Sequence, residues 1–340
     1  MAMAQTSETE VLGRTSPEAQ QQSKAATGWM IALTLLKNPT ILKKQIFMGP
    51  DEPRYVRPPR EYELPEYSKE MKHCTSKEKY LRPTRYCNPR EPLVVAMAHE
   101  LGAYELSDWE FAEAAYWFVK TKLVVEIRPL DSASATLKRG TGSCYHLTSL
   151  WLALCRAAGI KARYQTFMMQ LPDQITNTTS SEQGAMTVDF FSRGTPEAQG
   201  EVCVDGKWTV GHVAMRPEIL ARARLPIPKF GEDAGGLVFK VIPGTTKRFE
   251  SIPLTFWLAM NIGMRFVPAA LERTTVVAQT RALGPGRKVI EQAGGIEAYD
   301  QQARKMRELF SAEELVNYIK ESKRREVVEF RGGDGRNNGT

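Results

Sequence analysis

Residues 137–164 read Leu-Lys-Arg-Gly-Thr-Gly-Ser-Cys-Tyr-His-Leu-Thr-Ser-Leu-Trp-Leu-Ala-Leu-Cys-Arg-Ala-Ala-Gly-Ile-Lys-Ala-Arg-Tyr. Gly140 and Gly142 interrupt the chain just before a strongly apolar run of helical spacing, and Cys144 stands where that helix begins. A helix N-terminus presents unpaired backbone N–H groups and the positive end of the macrodipole, so the Cys144 thiol is expected to ionise more easily than an isolated one and to act as a nucleophile. Cys155 lies about three turns further on, on the face of Leu147, Trp151 and Leu154, and reads as core.

Upstream, Leu93 to Leu101 has a short helical pattern. Ser107-Asp108 caps a second helix over Trp109 to Val125, whose Phe111, Ala114, Ala115, Phe118 and Val119 form its apolar stripe. Downstream the period changes. Ala162 to Gln170 alternates, residues 173–184 form a polar loop, Met186 to Phe191 is a short strand, and Glu201 to Val210 is a hairpin turning at Asp205-Gly206. Helices followed by antiparallel strands predict an α+β fold.

The motif Arg139, Gly142, Cys144, then Arg156, Gly159, Ile160, Ala162 and Arg163 resembles the cysteine motif of the transglutaminase-like superfamily, which shares the papain-like cysteine protease fold. The resemblance covers residues 80–216. It implies a helical layer whose nucleophile helix packs on an antiparallel sheet, with helical N- and C-terminal extensions.

A thiolate attacking an acyl group needs a base, and the base needs an orienting acceptor. The resembled enzymes carry a histidine and an aspartate in the pattern His-x-x-x-Glu-Val, Asp-Gly-x-Trp, Asp. Aligning Glu201-Val202, Asp205-Gly206 and Trp208 puts Glu197 at the histidine position and His212 at the aspartate position, so acid and imidazole are exchanged. A two-residue turn pairs Val204 with Lys207, Glu201 with Val210 and Gln199 with His212. Glu197, Gln199, Glu201 and His212 then share one sheet face, where diagonal neighbours lie about 7 Å apart. The expected catalytic set is Cys144 as nucleophile, His212 as base and Glu197 as its orienter, the imidazole standing between sulfur and carboxylate. The alternative is a hydrogen-bonded sheet histidine in a decayed site.

Three other histidines compete for the role of base. His146 follows Cys144 by two positions and points away around the helix. His99 and His73 have no acidic partner at catalytic spacing. The Cys144 backbone N–H is the expected oxyanion donor, with Trp151 and Gln165 as further candidates. No metal set and no cofactor motif is found in the sequence.

The chain has 340 residues, 42% of them hydrophobic and 25% charged, with a formal net charge of +7. Composition of this kind is that of a globular protein. The five cysteines, at 74, 87, 144, 155 and 203, are odd in number and form no Cys-x-x-Cys pair, which argues against a disulfide framework or zinc ribbon and fits a reducing, cytoplasmic location. No secretory signal opens the chain. The apolar runs at 28–36 and 252–260 fall short of the roughly 20 residues that cross a bilayer. The first run belongs to a helix over residues 25–44 that packs on the core or lies on a membrane surface. The basic run Lys323 to Arg325 comes without a nucleic-acid-binding motif, so DNA is not an expected partner.

The organisation expected is a disordered tail over 1–24, a helix and extended belt over 25–79, the core over 80–216, a helical extension over 217–325 and a second disordered tail over 326–340. Within the extension, helices are expected at Phe256 to Met264, Ile296 to Phe310 and Ala312 to Lys323. Two classes of function stand open. One is a cysteine-dependent acyl-transfer or hydrolysis enzyme acting through an acyl-enzyme on an amide, ester or thioester, its substrate a peptide, a protein or a carrier-bound acyl group. The other is a binding or scaffold module that kept the fold and lost the chemistry. The oligomeric state is not legible.

Overall fold

The computed structural model describes residues 59–126, 128–170, 195–258, 261 and 283–309. The expected tails, the helix over 25–44, the loop at 173–184, the strand at 186–191 and the helix at 312–323 lie outside the described residues.

Four helices and the first two strands come first, in this order: α1 (Pro92–Glu100), α2 (Asp108–Lys122), β1 (Val124–Val125), α3 (Ala133–Arg139), β2 (Thr141–Gly142) and α4 (Cys144–Ala157); α5 (Pro217–Arg222) follows residue 211. Ser107 caps α2 in a reciprocal box, its hydroxyl accepting the Glu110 N–H while the Glu110 carboxylate accepts the Ser107 N–H. The short α3 and the parallel pair β1 with β2 were not foreseen from sequence, since two-residue strands leave no periodic signal. They matter because β2 ends at Gly142, two residues before Cys144. A Cβ at Gly142 would come within 2.4 Å of the His146 side chain, so that position must be glycine.

The main sheet comprises β3 (Ala162–Gln170), β4 (Thr195–Val204), β5 (Lys207–Gly211), β6 (Lys240–Val241) and β7 (Lys247–Phe249), in the order β5-β4-β3-β6 with β7 also pairing β3. All these pairings are antiparallel, giving the α+β architecture. The hairpin has the expected register, Val204 with Lys207 and Glu201 with Val210, and Asp205 and Gly206 both take positive φ (50° and 73°) as a type I′ turn requires.

Helix α4 is buried along nearly its whole length and packs on β4. Its Trp151 is fully buried against a cross-strand glycine pair, Gly200 and Gly211, where a Cβ would lie 2.4 and 2.5 Å from the indole. Both glycines are therefore the seat of the tryptophan. The indole Nε1 donates to the Ala112 carbonyl of α2 at 3.1 Å.

The Arg-x-x-Gly-Ile segment ends α4 mechanically. Gly159 (φ 91°) donates to the Arg156 carbonyl and Ile160 to the Cys155 carbonyl, a Schellman closure. The fully buried Arg156 guanidinium donates to the carbonyls of Ala162, Arg82 and Glu250, tying α4 to β3, to the preceding belt and to the residue after β7.

Residues 59–91 contain no regular helix or strand, as an extended belt should, yet Leu81, Tyr86 and Cys87 are buried and the Cys74 N–H donates to Ala157. The far face of the sheet meets a second apolar cluster, including Phe167, Leu220, Phe239 and Tyr299, built partly from α5 and from α6 (Ile296–Leu309). Of the helix expected over 256–264, the described residues are helical at 254–258 and 261.

Candidate active site

Cys144 is the first residue of α4, placed there by Ser143 as N-cap. His146, one turn along, accepts the Ser143 N–H through Nδ1 at 3.0 Å, and its Nε2 faces the Pro129 carbonyl and the Asp131 carboxylate at 3.1 and 3.3 Å. It belongs to the cap and points away from the thiol. Burial pulls its pKa down, and Asp131 only partly opposes this. Asp131 is also held by the Arg139 guanidinium at 2.8 Å, so that basic residue braces the loop before Cys144. His99 Nε2 donates to the Lys72 carbonyl and His73 Nδ1 to the Met71 carbonyl, both carbonyls lying in the belt region.

The Glu197 side chain and the backbone N–H groups of Ala198 and Tyr145 surround the thiol. Thr148, one turn along α4, donates to the Ala198 carbonyl at 3.1 Å and so fixes β4 against the helix at this level. Behind the carboxylate, Glu197 Oε1 lies 3.4 Å from His212 Nε2. This contact is an ion-pair distance without hydrogen-bond alignment, and Glu197 Oε1 and both His212 nitrogens find no hydrogen-bond partner in the protein. His212 is wholly buried, its ring edge-on to Phe239 at 5.2 Å between centroids.

The three expected residues are therefore brought together, but in a different order. The imidazole was expected between sulfur and carboxylate; the carboxylate stands between sulfur and imidazole. Glu197 on β4 lies beside the thiol, while His212 lies one residue past the end of β5.

The expected easy ionisation of Cys144 is also corrected. Burial, and after it the Glu197 carboxylate, push the thiol well above its ordinary value, and the two backbone N–H groups offset this only in part. The helix terminus is present and is outweighed.

Of the two further oxyanion candidates, the Trp151 indole is spent on the Ala112 carbonyl, while the Gln165 side chain accepts through its oxygen from Gln199, whose amide also reaches Asp233 at 3.2 Å. Sequence reasoning missed Lys120, a fully buried lysine of α2 whose Nζ donates to the His212 carbonyl at 2.8 Å. The signal existed, because Ala112, Tyr116 and Lys120 recur at i, i+4 and i+8 on the buried face. Among the described residues, no group of three or more His, Cys, Asp or Glu side chains is placed to hold a metal ion.

Residues 95–210 match the family model of the transglutaminase-like superfamily. This segment is transglutaminase-like. The match contains Cys144 and Glu197 and stops two residues short of His212. The superfamily is one of cysteine-dependent enzymes. A solved structure from Cytophaga hutchinsonii, provisionally assigned as a cysteine protease, is similar at 19% identity over 50% of this chain and 52% of that one, with a TM-score of 0.31. The match thus spans about half the length of that structure. No curated protein matches. Among the described residues, no helix is long and apolar enough to cross a membrane.

Proposed function

We propose that this protein is a cysteine-dependent acyl-transfer enzyme in which Cys144 is the nucleophile, Glu197 takes up its proton and His212 stands behind the carboxylate. The observation that carries this reading is the placement of the Glu197 carboxylate beside the Cys144 thiol at the head of α4, with His212 Nε2 3.4 Å from that carboxylate. In the first step the thiol proton passes to Glu197 as the sulfur attacks the acyl carbon, and the leaving group departs with that proton. In the second, an acceptor (water or an amine) gives its proton to Glu197, attacks the thioester carbon and expels the sulfur, which recovers the proton.

A carboxylate is a weak base for a thiol. Their ordinary values differ by about 4 units, near 6 kcal/mol for complete transfer, so proton transfer has to accompany attack. That arrangement favours acyl groups with good leaving groups, thioesters and activated esters, over amides. A peptide, a protein or a carrier-bound acyl group could present one, and a reducing cytoplasm suits five free cysteines.

A second reading, a scaffold that retains the fold, is favoured by one observation: burial, and after it the very residue that replaces the expected histidine, push the thiol up. Intact-mass analysis separates the two. The wild-type protein is offered a panel of thioesters, activated esters and glutamine peptides; an acyl adduct on Cys144 that Cys144→Ala abolishes supports the enzyme. Thioesters that leave wild-type Cys144 unmodified while free thiols in the same solution react would overturn it.

A further inference from the structure

We propose that Lys120 is a positioning residue for His212, holding the backbone carbonyl of that residue and thereby setting where the imidazole stands behind Glu197. The hairpin ladder ends at the pair Gly200 and Gly211, so His212 sits one residue past it. Its carbonyl is taken up by Lys120 Nζ at 2.8 Å, from a helix on the other side of the core. Neither imidazole nitrogen has a hydrogen-bond partner in the protein, so the ring is located through its backbone and through the Phe239 ring.

Lys120 itself is built in. Tyr116, one turn earlier on α2, lays its ring 5.2 Å from Nζ and sends its hydroxyl to the Pro228 carbonyl at 2.6 Å. An ammonium in this setting is expensive: burial alone pulls the Lys120 pKa from 10.5 to about 7. A leucine or methionine would pack α2 at no such cost, so packing does not account for the lysine. The bond to His212 does.

The inference rests on the acyl-transfer reading for its kinetic consequence and not for its structural one. The test uses protein labelled with carbonyl-¹³C histidine and ¹⁵N lysine, in which only four histidines give signals. Wild-type protein is expected to show a through-hydrogen-bond correlation between Lys120 Nζ and the His212 carbonyl carbon. Lys120→Met should move the His212 signals while leaving those of His73, His99 and His146 in place, and should slow thioester acylation of Cys144 by about tenfold or more through kcat, not KM. Lys120→Arg, which keeps a donor, should recover part of the rate. Absence of the wild-type correlation, which needs no variant to fold, overturns the proposal; so does a folded Lys120→Met whose His212 signals are unmoved. A protein that shows the correlation and the shift but never acylates overturns the acyl-transfer reading and leaves the positioning role standing.

Discussion

Glu197 Oε1 lies 3.4 Å from His212 Nε2, and the same carboxylate stands beside the Cys144 thiol. A negative group beside a thiol raises the cost of making a thiolate, yet it is the group able to accept the proton. Glu197→Gln therefore separates two effects. Removing the charge should lower the thiol pKa and speed iodoacetamide alkylation of Cys144 near pH 8 several-fold, whereas thioester acylation should fall by about 100-fold through loss of the proton acceptor. Acylation that survives the substitution would show that the proton goes elsewhere.

The order of cysteine labelling provides a second test. Cys74, Cys144 and Cys203 are half-buried, whereas Cys87 and Cys155 are buried outright. Burial and Glu197 keep the Cys144 proton on the sulfur near neutral pH. Peptide mapping after brief treatment with iodoacetamide near pH 7 should find Cys74 and Cys203 modified before Cys144, by about tenfold. Preferential labelling of Cys144 would mean that the helix terminus outweighs burial after all.

Lys120 should leave a mark on the pH dependence of stability. Its pKa falls from 10.5 when unfolded to about 7 when folded, so between those values the unfolded chain binds more protons and stability rises with pH. From pH 7.5 to 8.5 the unfolding free energy of the wild type, relative to Lys120→Met, should climb by about 1 kcal/mol. Urea unfolding at several pH values reads this directly. At higher pH the raised thiol of Cys144 contributes with the opposite sign, because the unfolded chain then loses its proton first.

The glycine seat of Trp151 makes a prediction about packing. A methyl group at Gly200 would sit 2.4 Å from the indole, and the neighbouring contact with Leu152 leaves the ring little room to withdraw. Gly200→Ala should cost about 1–3 kcal/mol in urea unfolding and blue- or red-shift the tryptophan emission. A stable variant with unchanged fluorescence would contradict the packing.

Arg156 offers a comparable test of the motif's C-terminal half. Its guanidinium serves the carbonyls of Ala162, Arg82 and Glu250, all from different segments. Arg156→Met leaves buried acceptors unpaired and should cost about 3 kcal/mol or more. The same substitution should not alter the chemistry of any protein that still folds.

The parts of this fold that were legible were those with a strong local grammar. Ser107-Asp108 announces α2, the glycines and Cys144 announce α4, and Asp205-Gly206 fixes a register that then places Glu201 opposite Val210. What was not legible depended on distance between elements. Strand β7 gives only three residues to the sheet, and β1 and β2 give two each, too few for any period to appear. The choice of Cys144, Glu197 and His212 came from the resemblance, and strand arithmetic put Glu197 and His212 on one sheet face. The internal order of the site did not follow, because register says which residues are neighbours and not which of them reaches the helix terminus. The thiol's ionisation was misjudged for a related reason: the helix dipole is visible in sequence, whereas burial and an adjacent carboxylate exist only once the chain is folded.

The protonated state of Cys144 bears on how this protein would fare under oxidative stress. Peroxides attack thiolates, and the first product, a sulfenic acid, needs both the anion and room beside the sulfur. A site that keeps its sulfur as a thiol against Glu197 until an acyl group arrives would be spared the inactivation that overtakes enzymes with a standing thiolate. The exchange of imidazole and carboxylate between two strands would then trade speed of attack for durability of the nucleophile.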